Sequence, residues 1–91
     1  MLTKQYKIEI HKSVIKDLEK IPVPFRKAIK KKIDNLVNDP RPEGYKKLQG
    51  LDVALYRIRC GDYRIVYSIK DDILLVLVLE IGHRRNIYRD L

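Results

Sequence analysis

The sequence contains no tryptophan, one phenylalanine (Phe25) and one cysteine (Cys60). A single thiol excludes an intrachain disulfide, and a reducing compartment suits it. The two histidines, His11 and His83, are far apart in the chain, which argues against a zinc centre. No metal and no other cofactor is expected. Long apolar runs are also missing. The longest, Ile73 to Leu79, is too short to cross a bilayer, and Met1 to Ile10 lacks the apolar core of a secretory signal. These absences point to a cytoplasmic protein with no membrane role. No stretch reads as a linker or a repeat, so residues 1–91 are read as one domain.

Acidic residues are scarce beside basic ones. Twenty Lys and Arg against twelve Asp and Glu leave a net charge of +8. Such an excess favours a polyanionic partner, whether RNA, DNA or an acidic protein segment, although solubility alone also accounts for it. Apolar residues make up 45% of the chain, enough to bury a thin core.

Hydrophobic periodicity divides the chain into elements. Tyr6 to Ile10 alternates as a strand does. Ser13 is placed to cap a short helix carrying Val14, Leu18 and Ile21. Pro22 and Pro24 end it and begin a second, roughly Phe25 to Asn38, with Phe25, Ala28, Ile29, Ile33, Leu36 and Val37 as its apolar stripe. Arg41 to Gly50 reads as a loop. A meander follows: a strand at 55–60, a turn at Gly61-Asp62, a strand at 63–69, a turn at Asp71-Asp72 and a strand at 73–81. The last strand has no polar alternation, so it belongs in the middle of the sheet, with the first strand as its neighbour. The expected fold is α+β. A four-stranded sheet is built from the N-terminal strand and the three-stranded antiparallel meander, with a two-helix hairpin packed on one face.

Writing the hairpin out exposes the most informative feature. A two-residue turn at Gly61-Asp62 sets Arg59 opposite Arg64 and Arg57 opposite Val66. Arg57, Arg59 and Arg64 then share one face, while Tyr56, Ile58, Ile65 and Tyr67 share the other. Like charges placed opposite each other in a sheet oppose folding. Guanidinium groups gathered there suit phosphate oxygens, and a solvated sheet face is the plainer alternative. Carrying the register through Asp71-Asp72 sets Lys70 opposite Ile73 and Arg64 opposite Leu79. Leu79, Ile81 and His83 then fall on the arginine face, followed by Arg84 and Arg85. A bulge at Gly82 would change that assignment. Of six tyrosines, only Tyr88 lies outside the core pattern.

Leu55-Tyr56-Arg57-Ile58-Arg59-Cys60-Gly61-Asp62-Tyr63-Arg64-Ile65-Val66-Tyr67 resembles the central signature of the RelE/ParE toxin superfamily. Gly82-His83-Arg84-Arg85-Asn86-Ile87-Tyr88 resembles its C-terminal signature, and Lys47-Leu48-Gln49-Gly50 is similar to its lead-in loop. The Gly-His-Arg ending looks more like the RelE branch. The resemblance implies a toxin made beside an antitoxin, which cuts mRNA in the ribosomal A site without a metal. The implied partners are the cognate antitoxin, the ribosome and mRNA, with operator DNA reached through the antitoxin. It implies catalytic roles for Arg59, Arg64, His83, Arg84 and Tyr88, and RNA contacts from Arg57, Arg85, Lys30 and Lys31. The general base is left between Arg59 and His83; a guanidinium is a poor base near neutral pH, so where an ordinary base is needed His83 is the better candidate. The same fold also serves ParE-type members, which inhibit DNA gyrase without catalysis. A non-catalytic RNA- or ribosome-binding module is the remaining alternative.

Overall fold

The computed structural model describes residues 4–48 and 53–83. The chain begins with strand β1 (Lys7–Ile10), followed by helices α1 (Lys12–Glu19) and α2 (Val23–Asn35). Strands β2 (Lys46–Lys47), β3 (Tyr56–Cys60), β4 (Tyr63–Lys70) and β5 (Leu75–His83) complete it. The sheet order is β1-β5-β4-β3-β2. β1 pairs parallel to β5, and the other neighbours are antiparallel. The α+β class and the central place of the last strand therefore hold. The sheet has five strands rather than four, because Lys46–Lys47 pairs with Arg57 and Tyr56 inside the expected loop. Two residues with no apolar alternation carry no strand signal, so their pairing follows from proximity to the β3 edge.

Local chemistry explains the helix boundaries. His11, rather than Ser13, caps α1: its Nδ1 accepts the Ser13 backbone N–H at 3.2 Å. α2 begins earlier than the periodicity indicated, with Pro22 as cap and Pro24 in the first turn, where proline has no N–H to waste. It ends at Asn35, and a turn carries Leu36 to Asn38.

The main core lies between the helices and one face of the sheet. Val14, Ile29, Ile33 and Leu36 pack against Tyr56, Ile58, Ile65, Tyr67, Val76, Val78 and Ile81. Ile29 is fully buried, and Ile29→Ala would cost about 2–5 kcal/mol in lost transfer energy and cavity. The opposite sheet face is not bare. Leu48, Leu55 and Val66 form a second small cluster there, with Leu79 against it.

One end of the sheet is tied by polar side chains. Arg41 makes a two-pronged bond to Asp71, Nη1 to Oδ1 at 3.2 Å and Nη2 to Oδ2 at 2.9 Å. The Tyr6 hydroxyl donates to Asp71 Oδ1 at 2.6 Å, and the fully buried Tyr67 hydroxyl donates to the Pro40 carbonyl at 2.7 Å. Arg41 also lies 5.5 Å from the Tyr56 ring centroid, within cation–π range. The Arg41 guanidinium, then the Tyr6 hydroxyl, hold the Asp71 carboxyl down at about 2. The same bond raises the Tyr6 phenol, and burial raises that of Tyr67.

Candidate functional site

The other end of the sheet carries the arginines. Gly61 takes a left-handed φ of 61°, as a two-residue hairpin turn led by glycine requires. That turn fixes the expected pairs: Cys60 with Tyr63, Arg59 with Arg64, Ile58 with Ile65, Arg57 with Val66 and Tyr56 with Tyr67. Arg57, Arg59 and Arg64 therefore lie on one face of the sheet, opposite the helices. Their environments differ. Arg59 is exposed and Arg64 half-buried. Arg57 is only 4% exposed, so it is a buried cation rather than an open one.

The expected β4–β5 register needs correction. The turn spans Asp71 to Leu74, with Leu74 at a φ of 51°, so Lys70 faces Leu75 and not Ile73. A shift of two residues keeps each side chain on its expected face. A bulge then occurs where Val66 faces Glu80 while Tyr67 faces Val78, which leaves Leu79 as the extra residue. One extra residue reverses the faces of everything beyond it. Arg64 consequently faces Gly82 rather than Leu79, and Ile81 and His83 face Ile65 and Tyr63 on the helix side. Leu79 stays with the arginine-side cluster, as expected. Ile81 enters the main core, and the His83 ring meets Tyr63 edge-on at 5.8 Å.

The same bulge brings in a residue that periodicity missed. Glu80 faces Val66 and sits two positions from Gly82, hence on the arginine face, diagonal to Arg64. It lines a cleft with His11, Ser13, Leu55, Val66 and Leu79. Glu80 was legible only as the sole acidic residue in an otherwise apolar strand end.

α2 contributes differently from the expectation. Lys30 and Lys31 are exposed on the helix layer, and Lys30 pairs with Asp34 at 3.3 Å. Neither stands beside the arginines in any described contact. Lys32 does, lining a small pocket with Asn35, Gly44, Ile58 and Arg59. Helical spacing explains the choice: Lys32 flanks the buried Ile29–Ile33–Leu36 stripe, while Lys31 points away from it. Arg84, Arg85 and Tyr88, and Gln49-Gly50 of the lead-in loop, lie outside the described residues. No described helix is long and apolar enough to cross a membrane.

The sheet end thus gathers arginines and a carboxylate on one face, with an imidazole on the other. Residues 8–88 match the family described as ParE toxin of type II toxin-antitoxin system, parDE. The chain is 34% identical over 87 residues to toxin RelE3 of Methanocaldococcus jannaschii, covering 90% of this chain and 94% of that one. It is 30% identical over 80 residues to the mRNA interferase toxin RelE of Escherichia coli, covering 87% and 83%. The fold matches the archaeal RelE–RelB complex from Pyrococcus horikoshii with a TM-score of 0.79 at 31% identity, over 91% of this chain and 99% of that one.

Proposed function

The chain belongs to the RelE/ParE family of type II toxins, and from that premise we propose how it acts as an mRNA endonuclease held in check by an antitoxin. One relative carries the name mRNA interferase toxin RelE, and one solved structure of similar fold is an archaeal RelE–RelB complex. The observation that carries the catalytic reading is Arg59 placed directly opposite Arg64, with side-chain-free Gly82 on Arg64's other flank. Two guanidinium groups facing each other on one rung repel each other. A phosphate between them relieves that repulsion, and the excess charge of +8 draws RNA toward it.

RNA supplies its own nucleophile. The 2′-oxygen attacks the adjacent phosphorus, the bond to the 5′-oxygen breaks, and the products are a 2′,3′-cyclic phosphate and a 5′-OH. One proton leaves the 2′-oxygen and one arrives at the 5′-oxygen, so this reaction needs no metal or other cofactor. Arg64 and Arg59 neutralise the charge that grows on the phosphorane oxygens. Guanidinium groups cannot take the 2′ proton. Glu80 and His83 can, and the register favours Glu80, because it shares the arginine face while His83 pairs with Tyr63 on the helix face. The proton returned to the 5′-oxygen is assigned to His83 or Arg84. Tyr88 orients the RNA and Arg85 contacts it. Arg57 supports the arginine face from beneath.

The ribosome supplies the mRNA geometry, so free RNA is cut weakly, and the protein acts in the cytoplasm. The antitoxin covers the basic surface with an acidic or amphipathic segment, and carries any operator binding. The matching ParE description keeps gyrase inhibition as the second reading. A cell-free translation reaction with mapped mRNA ends separates the two. Cuts in A-site codons support the nuclease; intact mRNA with blocked DNA supercoiling would replace it.

A further inference from the structure

Three rings form a row at the arginine end of the molecule. Phe25, in the first turn of α2, is 53% exposed. Its ring centroid lies 5.9 Å from that of Tyr63, at an interplanar angle of 45°. Tyr63 in turn meets His83 at 5.8 Å and 78°. The three residues come from the start of α2, the start of β4 and the end of β5. Half of the Phe25 ring stays in water, so its face is open to a ligand. A cleft beside the row is lined by Tyr63, Gly82 and His83, with Lys20, Asp17 and Glu80 also contributing.

The register relates this row to the arginines. Arg59, Arg64 and Gly82 form one rung of the sheet; Cys60, Tyr63 and His83 form the next. Consecutive rungs point to opposite faces. The end of the sheet therefore carries guanidinium groups on one face and rings on the other, one residue apart. Gly82 puts no side chain between them.

We propose that Phe25, Tyr63 and His83 form a stacking platform for one unpaired nucleobase of the RNA whose scissile phosphate lies at Arg59 and Arg64. The proposal rests on the nuclease reading above and adds the subsite for a base turned out of stack. Bases of every kind have a π face, so the platform is tolerant of sequence but selective for single strands. A nucleobase fits better than an apolar peptide, because two of the three rings have polar edges and the neighbouring rung carries guanidinium groups suited to phosphate.

The chain has no tryptophan, so Phe25→Trp installs a unique fluorophore. Titration with a short single-stranded RNA, 2′-O-methylated to prevent cleavage, should quench its emission. The same strand with abasic sites should bind through its phosphates and leave emission near the free value. Equal quenching by both strands overturns the proposal. In mapped cleavage on programmed ribosomes, Phe25→Ala should cut about fivefold more slowly and Tyr63→Leu about tenfold. Phe25 is exposed, so its variant should fold. If both variants cut at full rate while Arg64→Ala does not, the platform falls and the nuclease reading stands. If Arg64→Ala also cuts at full rate, both fall. Full cleavage with weakened antitoxin binding would make the row a protein contact and overturn the proposal.

Discussion

The two ends of the β4 strand obey opposite rules. At the Lys70 end, every named polar group meets a complementary one: Arg41 with Asp71, Tyr6 with Asp71, and Tyr67 with the Pro40 carbonyl. At the Tyr63 end, arginine faces arginine and Phe25 stays half in water. The first end is held by complementary polar pairs; the second gathers cations and rings on consecutive rungs, a chemistry suited to a ligand. A single eight-residue strand joins them.

The contrast is open to direct attack. The largest effect should come from Arg64→Ala, which should lower mRNA cleavage about 10²- to 10³-fold in a cell-free translation reaction. Its thermal unfolding midpoint should change little. A large loss of stability would make Arg64 a structural residue. Next comes the proton acceptor. Glu80→Gln should slow cleavage about 100-fold. If His83→Gln costs that much and Glu80→Gln does not, the assignments exchange.

At the satisfied end the effects should move to stability. Tyr67→Phe leaves the Pro40 carbonyl without its buried donor and should cost about 1–2 kcal/mol in denaturant unfolding. Cleavage by the folded fraction should be unaltered. The smallest effect concerns pH. The Asp71 carboxyl titrates near 2 in the folded chain, against an ordinary value of 3.8. The unfolded chain therefore takes up this proton first, so the contribution is full above about pH 4 and disappears as pH falls toward 2. Asp71→Asn should flatten that part of the stability profile. An unchanged acid limb would show that the Arg41 bond does not persist in solution.

Much of the site was legible because a hairpin with a two-residue turn has one register. Gly61-Asp62 and the alternation around it were sufficient to pair Arg59 with Arg64. The following turn was less readable. Asp71-Asp72 looks like a two-residue connection, but the chain uses four residues and places Leu74 in a left-handed conformation that leucine does not advertise. The bulge at Leu79 was hidden for a related reason: Leu-Val-Leu-Val-Leu is apolar on both faces, so no polar residue marks where alternation slips. That slip moved His83 away from the arginines and Glu80 toward them. Lys32 was passed over in favour of Lys30 and Lys31 because a run of lysines looks uniform until the buried stripe sets the helix rotation.

Composition and local spacing determined that this chain is a basic α+β protein with two opposed arginines on one sheet face. Those properties depend on neighbours within a few residues, where backbone geometry leaves little choice. The tertiary structure decided which carboxylate and which rings stand beside the arginines, and that Arg57 is buried. Such outcomes depend on packing between distant segments, where one unpaired residue in β5 exchanges the faces and no local pattern records it.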